Sequence, residues 1–71
     1  MNKNNLVKFG KRVREIRLKK GLTQQELAEK LDMSPNFIGM VERGERNTTI
    51  ENLFRLADVL EIKLKDFFEK L

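Results

Sequence analysis

Gln24-Gln25-Glu26-Leu27-Ala28-Glu29-Lys30-Leu31-Asp32-Met33-Ser34-Pro35-Asn36-Phe37-Ile38-Gly39-Met40-Val41-Glu42-Arg43 decides the fold of this chain. Leu27, Leu31, Met33, Ile38 and Val41 are apolar where two crossing helices bury residues against each other, and Ala28 is small where they approach most closely. The stretch predicts a short helix, a tight turn and a second short helix. Local signals agree. Thr23 and Glu26 have capping-box spacing at the start of the first of these helices. Asp32 stands at the turn, a left-handed backbone position that Asp tolerates better than most residues. Ser34 can cap the following helix, and Pro35 suits its first position because the missing N–H has no partner there. Two helices so joined place the second in the major groove of DNA.

Working outward, Leu6, Phe9, Val13 and Ile16 fall at helical spacing and predict a first helix over about residues 5–20, stopped by Gly21. Arg17 follows Val13 by four residues, at the edge of the apolar stripe, where its charge wants a carboxylate partner. Downstream, the third helix ends near Arg43-Gly44, and Glu45-Arg46-Asn47 reads as a loop. Thr48 with Glu51 is expected to cap a fourth helix whose inner face is Ile50, Leu53, Ala57 and Leu60. Ile62 anchors the next turn. Leu64, Phe67, Phe68 and Leu71 make the stripe of a short fifth helix. No segment reads as a strand. The expected fold is all-α, a compact five-helix bundle forming one helix-turn-helix domain over 1–71.

The 71 residues suffice for one domain with a marginal core, and marginal small domains commonly gain stability by oligomerising. With no Cys and no His, disulfides, zinc fingers, iron–sulfur clusters and thiol chemistry are not expected. No apolar run approaches the ~18–20 residues of a membrane span, so the expectation is a soluble, cytoplasmic protein without cofactor or metal. Net charge is +4, and it is unevenly spread: residues 1–21 hold eight Lys/Arg against Glu15 alone, a net +7. A charge run is often only a solvated face, but beside a helix-turn-helix it reads as an electrostatic footprint for phosphates.

Gly21-Leu22-Thr23-Gln24-Gln25-Glu26-Leu27-Ala28, then Ile38 and Val41-Glu42-Arg43-Gly44-Glu45-Arg46-Asn47, resembles the XRE family of helix-turn-helix regulators, which includes phage repressor DNA-binding domains and Cro proteins. The likeness covers roughly residues 6–68. The run from Asn36 to Asn47 looks most like the controller proteins of restriction–modification systems, with other stand-alone small repressors similar. Two positions depart from the family pattern: Asp32 stands where Gly is usual, and Pro35 where Gln or another hydrogen-bonding residue is frequent.

The reading surface is expected on the third helix, at Pro35, Asn36, Gly39 and Met40, with Phe37 at one side. The Asn36 amide can bond adenine N6 and N7, a contact worth roughly 1–3 kcal/mol of discrimination; the bland alternative is a first-turn cap. Pro35 and Met40 can touch only apolar features such as a thymine methyl, and Met40 serves equally well as core. Gly39 in mid-helix costs about 1 kcal/mol relative to Ala, which a close approach to DNA or to a neighbouring helix would explain. Candidate phosphate contacts are Thr23, Gln24, Ser34, Phe37, Arg43, Arg46 and Asn47, because helix N-termini and the loops beside them favour anions. Gln24 leads this set by resemblance. Lys3, Lys8, Lys11 and Arg14 receive no individual role. The resemblance also implies a partly buried, structural Arg17–Glu42 ion pair between the first and third helices. Phe54, Phe67, Phe68 and Leu71 either close the core or form a dimer contact; the expectation is a homodimer reading a palindrome, with half-sites about 34 Å apart.

The function expected is therefore a sequence-specific regulator binding double-stranded DNA, with no small-molecule ligand. The alternative is an antitoxin or other protein-interaction module, against which the lack of a tail beyond the fifth helix counts. An enzyme is not expected: Ser34, the only Ser, is used as a cap, and no catalytic constellation can be assembled.

Overall fold

The structure, a computed structural model, describes residues 2–69. Four α-helices, α1 (Lys3–Lys19), α2 (Gln24–Leu31), α3 (Pro35–Glu42) and α4 (Ile50–Leu60), are followed by a 3-10 helix, Leu64–Phe68. No strand occurs among the described residues, and no helix there is long and apolar enough to cross a membrane.

Each helix starts on a side-chain cap. Asn2 caps α1 by accepting from the Asn5 N–H at 2.8 Å, so the helix begins two residues earlier than its apolar stripe suggests. Thr23 and Glu26 close the expected capping box, at 3.0 and 2.9 Å. Ser34 caps α3, with Pro35 in its first turn. Asp32 ends α2 in the left-handed conformation, φ 57° and ψ 45°.

α4 corrects the sequence reading. Its cap is Thr49, which accepts from the Asn52 N–H at 3.1 Å, and not Thr48. The Thr48 N–H is bonded by the Asn47 side chain at 3.0 Å, which keeps Thr48 in the loop. The inner face of α4 is consequently Leu53, Leu56, Ala57 and Leu60, whereas Ile50, expected inside, is 70% exposed. With the helix starting at Ile50 itself, this residue belongs to the first turn and points past the core.

The core is Phe9, Val13 and Ile16 of α1, Leu27, Ala28 and Leu31 of α2, Ile38 and Val41 of α3, the inner face of α4, and Phe67. Phe67 is fully buried and meets Phe9 edge-on, ring centroids 5.5 Å apart. Its role is therefore closing the core, and it cannot also face a partner. A tight 3-10 turn replaces the expected α-helix, and the Asp66 side chain caps its start through the Lys63 N–H. Phe68 stacks on Phe9, ring centroids 6.0 Å apart, and remains partly exposed; Phe54 is exposed on α4. Leu71 lies outside the described residues.

Candidate nucleic-acid interface

α3 is held from behind by backbone contact and by charge. Gly10 of α1 faces the carbonyls at the end of α3 so closely that a Cβ there would stand 2.6 Å from the Glu42 oxygen. No side chain fits between these helices. Beside that contact, Arg17 Nε donates to Glu42 Oε2 at 2.6 Å and its Nη2 to Oε1 at 3.1 Å. The remaining guanidinium edge donates to the Leu22 carbonyl at 2.7 Å. Both charges are buried, and the bidentate geometry satisfies them, which is the condition under which such a pair is tolerated in a core.

Gln24 joins this network. Its side-chain amide donates to Glu42 Oε1 at 3.0 Å, so the first residue of α2 is oriented by the same carboxylate that ties α3 to α1. One glutamate thus fixes three helices.

The opposite face of α3 is open. Pro35 and Asn36 are exposed, and Met40 is half-buried. The Asn36 amide makes only a weak contact to Met40 Sδ, at 3.6 Å, one turn along the same face. Its hydrogen-bonding groups are otherwise free to meet a ligand. Gly39 is not on this open face: it is buried, covered by side chains. A Cβ there would meet Arg43 Nη1 at 2.9 Å and the Gln24 amide at 3.5 Å. The mid-helix glycine makes room for those two residues, one of the two explanations the sequence offered for it, a close approach within the protein.

The other expected phosphate contacts frame the helix. Thr23 and Ser34 spend their hydroxyls on caps. Phe37 is half-buried against the core, with the Arg46 guanidinium 5.8 Å from its ring centroid. Asn47 is exposed, its carbonyl engaged with Thr48. Arg43 pairs with Glu45 at 3.1 Å. The hydrogen bond from Arg43 holds the Glu45 carboxyl below the usual carboxylate range, and the same bond raises the guanidinium further.

Arg12 was not distinguishable from its basic neighbours in sequence. It is buried, donates through Nε to the Asp66 carbonyl at 2.8 Å, and lies 3.7 Å from Glu69 and 3.9 Å from Glu15. It ties α1 to the C-terminal turn. The basic run of residues 1–21 is therefore smaller as a phosphate footprint than its charge suggests, because Arg12 and Arg17 both point inward. The i, i+4 step from Arg12 to Ile16 on the apolar stripe was the available signal.

The fold that carries this face recurs in other proteins. The HTH_3 helix-turn-helix family matches residues 13–67. The control protein C.BamHI of Bacillus amyloliquefaciens is 34% identical over 70 residues, covering 97% of this chain and 86% of that one. The crystal structure of the restriction–modification controller protein C.AhdI from Aeromonas hydrophila superposes with a TM-score of 0.88 at 43% identity, covering 92% of this chain and 98% of that one. The controller protein C.Esp1396I, solved as a tetramer in complex with its natural 35 base-pair operator, aligns with a TM-score of 0.79 at 39% identity, covering 90% of this chain and 84% of that one. The chain belongs to the HTH_3 helix-turn-helix family, and is a DNA-binding transcriptional regulator akin to the controller proteins of restriction–modification systems.

Proposed function

We propose that the protein is a homodimeric controller-type regulator that lays α3 in the major groove of a palindromic operator and acts on its own promoter. One observation carries this reading: Pro35, Asn36 and Met40 form an unencumbered face on α3, while everything behind that face is locked to α1 and α2. Asn36 reads a base, Pro35 and Met40 pack on apolar groove features, and Gln24, Arg43, Arg46 and Asn47 grip the flanking backbone. Phosphate contacts then fix register and base contacts give sequence preference. Likeness to a controller protein solved on its operator supports the mode of binding.

Ile50 and Phe54, exposed one turn apart on α4, are the proposed dimer contact, with Phe68 contributing and Phe67 excluded by its burial. Dimerisation adds apolar burial to a chain whose core is small.

The test is titration of the protein on the DNA upstream of its own gene, at two salt concentrations, for wild type and Asn36→Ala. Expected is tight, salt-weakened binding to a palindrome, with roughly 1–3 kcal/mol of base discrimination lost in the variant. Weak binding, equal on all sequences and indifferent to the substitution, would overturn base reading by Asn36. Sedimentation of wild type and Phe54→Lys checks the dimer contact, the variant being expected to shift towards monomer.

A further inference from the structure

We propose that Glu45 is an internal competitor for Arg43 that tempers DNA affinity: it holds the guanidinium folded on α3 in the free protein, and a duplex must displace it to engage that charge. The inference rests on the reading that α3 enters the major groove.

The geometry has three parts. Arg43 caps the C-terminal end of α3, but its side chain runs back one turn, so that Nη1 lies where a Cβ of residue 39 would be, 2.9 Å away. Gly39 makes that path available. Nη2 is held by Glu45 at 3.1 Å, from the loop that follows. Both side chains remain about half exposed, 54% and 53%. A pair so exposed is weakly held, and a phosphate offers the same bidentate match to guanidinium as a carboxylate does. The pair is therefore stable enough to park Arg43 and weak enough to be exchanged.

The consequence for DNA follows from what non-specific binding is. It comes almost entirely from cations neutralising phosphates and releasing counterions. A guanidinium already neutralised by its own carboxylate contributes little to that term. On a duplex without matching bases, Arg43 stays on Glu45. On the operator, base contacts from the open face seat α3, and the guanidinium transfers from Glu45 to the DNA. Because a duplex that takes the guanidinium must first break the Arg43–Glu45 pair, Glu45 weakens operator binding by the strength of that pair, and binding to a scrambled duplex by no more than that.

The experiment titrates the upstream operator duplex and a scrambled duplex of equal length and composition with wild type, Glu45→Gln, Arg43→Gln and the double variant. Glu45→Gln is expected to tighten operator binding by about two- to fivefold, to tighten scrambled-duplex binding by no more than that, and to steepen the dependence of log K on log salt for the scrambled duplex by about one. In the Arg43→Gln background the same substitution is expected to leave binding to both duplexes nearly unchanged, since no cation is released. A gain confined to the scrambled duplex, an undiminished gain without Arg43, or no gain at all would overturn the proposal. Failure of the underlying reading looks different: wild type then shows no preference for the operator and Asn36→Ala changes nothing. Thermal melting of each variant confirms that it is folded, as expected for exposed positions.

Discussion

Glu42 and Arg43 are adjacent, and each closes an ion pair, but the two pairs have different work. Successive helical residues point about 100° apart, so the end of α3 turns Glu42 to the core and Arg43 to solvent. The Arg17–Glu42 pair is buried, bidentate and hydrogen-bonded to α2 as well. The Arg43–Glu45 pair is local and exposed. A buried pair is hard to give up, because losing one partner strands the other charge. An exposed pair costs little to break, and for that reason it is available for exchange with a ligand. The same chemistry is a structural tie on one side of the helix and, in the proposed mechanism, an exchangeable contact on the other.

The largest test of this contrast is Glu42→Gln, which leaves the Arg17 charge uncompensated. A loss of about 3–5 kcal/mol is expected in urea unfolding, and the Arg17→Met/Glu42→Leu double variant is expected to regain most of it. A loss below about 1 kcal/mol would make the buried pair no different from the exposed one. Next, Gly10→Ala forces a methyl group against the carbonyls of α3. It should destabilise by roughly 1–3 kcal/mol, with a parallel loss of operator affinity as α3 shifts. Arg43→Gln provides the other arm: stability should change by less than about 0.5 kcal/mol, while DNA binding weakens.

The smallest effect concerns a charge that belongs to neither pair. Glu26 is exposed, and its carboxyl lies below the ordinary 4.5 chiefly because it accepts the Thr23 backbone N–H. A carboxyl lowered on folding contributes its full stabilisation above the unfolded value and loses it as pH falls through the folded value. The melting-temperature gap between wild type and Glu26→Gln should thus be full at about pH 6 and close on acidification below about pH 4. A gap that persists in acid would show that the cap does not depend on the charge.

Much of this architecture was legible because it rests on local rules. Thr23 with Glu26, Ser34 with Pro35, and Asp32 at a left-handed turn each announce themselves by residue type and spacing, and all three stand as expected. The Arg17–Glu42 pair was legible through resemblance and through the position of Arg17 beside an apolar stripe. What escaped was set by tertiary context. Thr48 and Thr49 are both acceptable caps, and only the bond from Thr48 N–H to the Asn47 side chain decides between them. That one-residue shift misplaces Ile50. Gly39 looked like an exposed reader because its cover, the side chains of Gln24 and Arg43, comes from elsewhere. Phe67 and Phe68 are neighbours of one type, yet the first meets Phe9 edge-on and is buried while the second stacks on it and stays partly exposed, a difference set by tertiary packing. On α3, Pro35 and Asn36 are exposed as the sequence led one to expect, Met40 is half-buried and Gly39 buried, while contacts with DNA await the titrations above.

The contact at Gly10 has a consequence for how such a regulator changes over time. α3 is seated on α1 largely through main-chain carbonyls and one buried glutamate, neither of which depends on the side chains at 35, 36 and 40. Those three positions can therefore drift, or be randomised in a library, without disturbing the docking of the helix that displays them. With bases read as proposed, a lineage can retarget to a new operator by single substitutions at these positions, each passing through a folded intermediate.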